Sequence, residues 1–135
     1  VVRFVRPGGP ALPGETIPWN PAAAELDATA LDGLDAIVHL SGESIASGRW
    51  SEEKKRAIHD SRVQSTQLLA ERLADCAQRC AHPPKVWLCA SATGFYGHGG
   101  EEQLSEDSPA GHGFLAEVAQ AWEQATRPAE EAGIR

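Results

Sequence analysis

Methionine is absent from all 135 residues, and the sequence opens on Val1. The first residues already read as a strand. No charged start, apolar core and small-residue cleavage site precede them, so no secretory signal is visible. The chain is expected to be part of one domain, truncated at both ends. Basic side chains are scarce, 12 against 19 acidic ones, for a net charge of −7. Binding to a nucleic-acid duplex needs a basic face that releases counterions, which argues against that class of partner. No apolar run reaches the ~18 residues of a membrane helix. A cytoplasmic protein with no membrane partner is the expectation. The cysteines are three, Cys76, Cys80 and Cys89. An odd count without CxxC spacing argues against a disulfide framework or a zinc site and fits reduced thiols. The histidines are scattered, with no i, i+4 pair around a carboxylate, so no metal site is expected. Tyrosine occurs once, at Tyr96, and lysine only at positions 54, 55 and 85. That shortage bears on catalysis below.

What is present alternates between two periods. Val1, Val2, Phe4 and Val5 form a short apolar strand, stopped by Pro7, Gly8, Gly9 and Pro10. Thr16 to Trp19 reads as a second short strand, and Ala22 to Leu31 as a short helix ended by Asp32-Gly33. The apolar runs 35–40 and 86–90 read as parallel strands buried on both faces. Between them Ser51 caps a long helix, with Glu52 and Glu53 at its positive end. Leu69, Leu73, Cys76 and Cys80 recur on one face of it, and His82-Pro83-Pro84 terminates it. A last helix from about Gly113 aligns Leu115, Val118, Trp122, Ala125 and Ala129, with a kink or restart at Pro128. Gly133 stops it, and Ile134-Arg135 begins another strand. This order predicts an α/β fold, a parallel sheet flanked by helices.

Ligands of open α/β sheets bind beyond the carboxyl ends of the strands. Three such ends carry suitable groups. Arg6, with Arg3 nearby, is either a solvated strand-end arginine or a ligand for the 2′-phosphate of NADP(H). His39-Leu40-Ser41-Gly42 offers a glycine that lets backbone approach a ligand. His39 itself is either a ligand contact or a satisfied core histidine, and Glu43 and Ser44 follow on the loop. At the third end, Ser91 in Ser91-Ala-Thr-Gly-Phe-Tyr-Gly97 is either a turn residue or a hydrogen-bond partner of a substrate carbonyl or hydroxyl. His98 and His112 sit in the polar loop 98–111 as solvated groups or proton carriers.

Three segments in this order carry a family resemblance: His39-Leu-Ser-Gly-Glu-Ser44, Arg62-Val-Gln-Ser-Thr-Gln-Leu-Leu69 and Ser91 to Gly97. They resemble the NAD(P)-dependent epimerase/dehydratase family of extended short-chain dehydrogenases/reductases. The string Gly42 to Trp50, with Phe114-Leu-Ala-Glu-Val and Trp122-Glu123, narrows this to an atypical epimerase-like subfamily sometimes labelled cell-division inhibitors. The resemblance implies a partial Rossmann-like fold that binds NADP(H) rather than NAD(H). Arg3 and Arg6 would sit near the adenosine ribose, and His39, Leu40, Ser41, Gly42 and Ser91 near the cofactor. Ser91 matches the family's catalytic Ser/Thr, acting on a small or sugar-nucleotide-like substrate, and Tyr96, the other catalytic candidate, is either a substitute that swings toward that substrate or a buried ring in the strand-end turn.

Two departures from the wider family stand out. The glycine-rich pyrophosphate turn is absent, so this chain by itself is expected to bind cofactor poorly. The Tyr-x-x-x-Lys pair is absent too, and the last helix has Leu115 and Ala119 where it belongs. Arg62 also stands where the superfamily commonly has asparagine. Two functions therefore stay open: hydride transfer at a hydroxyl or carbonyl carbon, and a catalytically silent dinucleotide-binding sensor or partner module. A flavodoxin-like domain would need a phosphate loop that the sequence does not contain. Oligomeric state is not legible.

Overall fold

A computed structural model describes residues 1–9 and 11–135. Pro10, one of the residues expected to stop the first strand, lies outside the described residues. Strand β1 (Arg3–Val5) pairs in parallel with β2 (Thr16–Pro18), and β3 (Ala36–His39) pairs in parallel with β4 (Val86–Cys89). The strands thus form two separate two-stranded sheets. Helix α1 (Glu52–Arg79) crosses between β3 and β4. Helices α2 (Phe114–Gln124) and α3 (Arg127–Glu131) follow β4. The parallel α/β order is as the alternation of patterns predicts.

Helix α1 runs 28 residues because nothing inside it interrupts the backbone ladder: no glycine or proline occurs between Ser51 and Cys80. Ser51 Oγ accepts from the Lys54 amide, which closes the amino end. Glu52 and Glu53 meet the positive end of the dipole and Arg79 the negative end. Leu69, Leu73 and Cys76 are buried on the face predicted, against Leu31, Ile37 and Ala129. Cys80 has already left the helix, with extended backbone, and is half-buried. The stop therefore comes before the His82-Pro83-Pro84 run. The His82 amide then donates to Asp32 Oδ1 at 2.7 Å, which ties the turn before β3 to the turn before β4.

The helix expected over Ala22 to Leu31 does not form. Two single 3-10 turns, Pro21–Ala23 and Ala28–Leu31, stand in its place. Ala24 takes a left-handed conformation at φ 54°, and Asn20 and Glu25 close a backbone bridge around it. Asp27 then caps the second turn, its carboxylate accepting from the Thr29 amide and hydroxyl at 2.9 and 2.8 Å. An aspartate that can cap competes with its own helix. Pro128 restarts rather than kinks the last helix, standing in the first turn of α3. Arg135 pairs with the outer edge of β4, donating to the Lys85 carbonyl and accepting from the Trp87 amide.

The other edges of β1 and β3 face each other without hydrogen bonds. A cavity of about 590 Å³ lies between them, lined by Val2, Phe4, Arg6, Trp19, Leu40 and Ser41 among others. Burial on both faces, expected for the 35–40 and 86–90 runs, is not found: on β3, Ile37 and His39 turn inward, while Val38 and Leu40 stay 59% and 74% exposed. Leu88, opposite Val38 on β4, is also exposed.

Candidate functional site

Register brings the tips of β3 and β4 together. His39 lies opposite Cys89, and the Ala90 amide continues the ladder to the His39 carbonyl at 3.1 Å. Leu40-Ser41-Gly42 and Ser91 therefore leave adjacent strands at the same rim. Arg6, just past β1, lines the same cavity as Leu40 and Ser41. Two of the three strand ends singled out in the sequence, at Arg6 and at Leu40-Ser41, open on one cavity, and Ser91 leaves the strand beside the second.

Each candidate residue has a definite setting there. The Arg6 side chain makes no hydrogen bond or ion pair among the described residues and is exposed. Arg3 is engaged: its guanidinium donates to the Pro13 carbonyl at 2.8 Å, which holds the 13–14 turn against β1. His39 is buried, with Nε2 3.2 Å from Ser65 Oγ. The Ser65 hydroxyl itself donates to the Ser61 carbonyl. With that proton spent, His39 Nε2–H is the donor to Ser65. Trp19 packs edge-on against the imidazole, ring centroids 5.8 Å apart. Burial disfavours the charged form and lowers the His39 pKa to about 4. His39 is thus a neutral, satisfied wall of the cavity. Tyr96 is half-buried in a 3-10 turn, packed edge-to-face on Phe95.

Gly42 has a steric reason to be glycine. A Cβ there would stand 3.1 Å from the Arg62 guanidinium carbon. Arg62 crosses the loop at this point, donating to the Glu43 and Ile58 carbonyls, both at 3.1 Å, and lying 5.4 Å above the Trp122 ring. Its desolvation lowers its pKa. The loop beyond is held by charge. Lys54 Nζ bonds Glu43 Oε1 at 2.5 Å and also reaches Ser47, and this bond holds the Glu43 carboxyl below its usual range. Arg62 and Arg6 add weaker attraction to the same carboxylate. Trp50 closes the loop, donating to the Ile45 carbonyl and packing edge-on against Phe114 at the start of α2. The 97–111 loop is pinched at its base, where the Gly111 amide donates to Phe95 and a Cβ on Gly111 would collide with the Tyr96 carbonyl.

Three residues of this rim were given no role by the sequence reading. Lys54 and Arg62 hold the loop after β3, and Glu123 Oε1 accepts the Ser91 hydroxyl at 2.5 Å. These contacts span 11 to 32 positions, and no local pattern announces them. Trp122-Glu123 entered only as part of a family string.

His98 and His112 are exposed. Among the described residues no group of three or more His, Cys, Asp or Glu side chains is placed to hold a metal ion. No helix among them is long and apolar enough to cross a membrane. The fit to a dinucleotide is a matter of donors. An unpaired arginine at one strand end and Ser41 at the next, on the same cavity, suit an anionic, ribose-bearing ligand.

Residues 21–117 match the model of the NAD dependent epimerase/dehydratase family. An epimerase family protein of Mycobacterium bovis is 40% identical over the whole chain. The chain spans 42% of that relative's length. Among solved structures, a nucleoside-diphosphate sugar epimerase from Corynebacterium glutamicum superposes with a TM-score of 0.69 at 33% identity. That match covers 99% of this chain and 32% of the other. A human epimerase family protein, solved with NADPH, superposes at 0.68 and 26% identity, covering 94% of this chain and 49% of the other.

Proposed function

The chain belongs to the NAD-dependent epimerase/dehydratase family, and from that premise we propose that it forms the NADP(H)-binding half of a cleft acting on a hydroxyl or carbonyl carbon. It would be part of one Rossmann-like domain. Arg6 would neutralise the 2′-phosphate of the adenosine ribose. Leu40, Ser41 and Gly42 would pass beneath the cofactor with their backbone, and Ser91 would contact the substrate. The observation that carries this reading is the cavity that Arg6, Leu40 and Ser41 line together, with Ser91 leaving the strand next to β3. The NADPH in the human relative's structure supports the phosphate-bearing form. The name of the Corynebacterium neighbour supports a nucleoside-diphosphate sugar as the substrate class.

Bound there, a nicotinamide dinucleotide supplies the hydride donor or acceptor. The chain's own contribution is placement. Arg6 offers a planar fork of donors to phosphate, and a carboxylate in its place would repel that phosphate. Ser91 follows a strand tip whose backbone the β3–β4 ladder holds up to Ala90. Arg3 would act indirectly, by holding the turn beside β1.

A second reading is favoured by one specific feature. Leu115 and Ala119 stand on α2 where the family's Tyr and Lys belong, so proton transfer has no conventional donor. On that reading the protein binds dinucleotide and reports it to a partner. The experiment is a titration of the intact protein with NADPH and NADH, wild type against Arg6→Glu. Preference for NADPH in the wild type, lost in Arg6→Glu, is the expected outcome. Equal affinity for both dinucleotides in the wild type removes Arg6 from the site. A substrate screen that finds no turnover with intact NADPH binding selects the sensor.

A further inference from the structure

The hydroxyl at the β4 tip is already engaged. Ser91 Oγ lies 2.5 Å from Glu123 Oε1, a contact that joins the strand tip to the last turn of α2. This is the short end of the range for a hydroxyl on a carboxylate. A serine hydroxyl has one proton and two acceptor positions, whereas a carboxylate can only accept. The Ser91 proton therefore points at Glu123, and what remains for the cleft is an acceptor.

While the Glu123 and Ser91 side chains lie at the surface, the backbone that carries Glu123 is held by rigid elements. Trp122 beside it donates to Thr66 Oγ1 of α1 at 2.9 Å and lies under Arg62. The Thr126 hydroxyl and amide both donate to the Glu123 carbonyl, which fixes the end of the helix. Among the described residues no lysine, arginine or histidine pairs with its carboxylate, and Ser91 is its side-chain partner. Spacing adds a further point. Leu115, Ala119 and Glu123 stand at i, i+4 and i+8, one row along α2. In that row Glu123 alone is ionisable.

We propose that Glu123 is a positioning residue that fixes Ser91 as a hydrogen-bond acceptor, so that the cleft selects a ligand presenting a hydroxyl over the matching carbonyl. A ligand hydroxyl donates to the free Ser91 acceptor. A ligand carbonyl in the same place meets acceptor with acceptor, and both groups lose water without gaining a bond. The proposal rests on the reading of Ser91 as a substrate contact, and it adds which partner the serine takes.

The test uses the intact protein and two probes, UDP-glucose and its 4-keto counterpart. Binding is measured by calorimetry without nicotinamide, so no turnover intervenes. Circular dichroism and thermal midpoint check that each variant folds. The wild type should bind the hydroxyl probe about tenfold tighter, the scale of one hydrogen bond made against one refused. In Glu123→Ala the serine proton is released toward the cleft, and the preference should fall to about onefold or invert. Glu123→Asp, which keeps an acceptor, should restore a preference. Ser91→Ala should bind both probes weakly and equally. A preference that survives in Glu123→Ala overturns the proposal, as does equal binding of both probes by the wild type. In either case the substrate reading stands. If the wild type binds neither probe while NADPH still binds, the substrate class is wrong and the proposal falls with it.

Discussion

Two single residues carry effects large enough to measure. His39 is 4% exposed and neutral, its pKa lowered from 6.5 to about 4 by burial. The unfolded chain takes up that proton near pH 6.5. Between the two values the unfolded state binds more protons, so stability is complete above about 6.5 and falls as the pH drops toward 4. A gap of this size corresponds to about 3 kcal/mol. Urea denaturation across that window should show the decline in the wild type and a flatter profile in His39→Gln. Equal slopes in the two proteins would place the titrating group elsewhere. Asp27 and Glu43, held below their usual range by Thr29 and Lys54, contribute in the acidic carboxylate range. Gly111 is the second case. A methyl group there meets the Tyr96 carbonyl, and backbone cannot swing aside as a long side chain can. Gly111→Ala should open the base of the 97–111 loop and lower the thermal midpoint, whereas Gly100→Ala meets no atom within 4 Å. At Gly100 the cost is confined to its left-handed backbone, φ 62°.

At the scale of elements, α1 is the strut against which α2, α3 and the 3-10 turns of the 21–31 segment pack. Leu73 and Leu69 on its inner face are fully or almost fully buried. Leu73→Ala should cost about 2–5 kcal/mol, the range for truncating a buried leucine. Ser51→Ala should cost about 1 kcal/mol through the lost cap. Equilibrium denaturation checks both, and a Ser51→Ala effect as large as that of Leu73→Ala would contradict the ranking. The same element shows what a sequence makes legible. The Ser51 cap, the two acidic residues after it and the apolar spacing are local, and they identify the helix directly. The apolar strands 36–39 and 86–89 are legible for the same reason. The 21–31 segment misleads because its outcome turns on competition: Asp27 as a cap against Asp27 inside a helix, with Ala24 in a conformation its side chain disfavours. The site is half legible. Strand tips follow from the β3–β4 pairing, so Ser41, Gly42 and Ser91 can be placed before any coordinates. The bonds Glu123–Ser91 and Lys54–Glu43, and the packing of Arg62 on Gly42, join distant positions and arise only from how the helices dock.

At the scale of the whole molecule, the two small sheets present facing unpaired edges across the 590 Å³ cavity. Beside it Val38, Leu40 and Leu88 form an exposed apolar surface. Unpaired edges of this kind template further pairing. The 135-residue chain studied alone should bind an apolar dye and self-associate at micromolar concentration. Val38→Lys should reduce both, read by fluorescence and sedimentation velocity. A monomeric chain that binds no dye would mean these edges are closed in solution. The cleft is also the place where Arg6 and the β3 tip meet, with the β4 tip on the neighbouring strand, and the functional account depends on that arrangement. Amide NMR of the intact protein during NADPH titration tests it most directly. The account predicts saturable shifts at Arg6, Ser41, Gly42 and Ser91, with Arg6 responding more to NADPH than to NADH. Saturable binding whose shifts fall on the outer faces of α1 and α2, leaving these four amides unmoved, would contradict it.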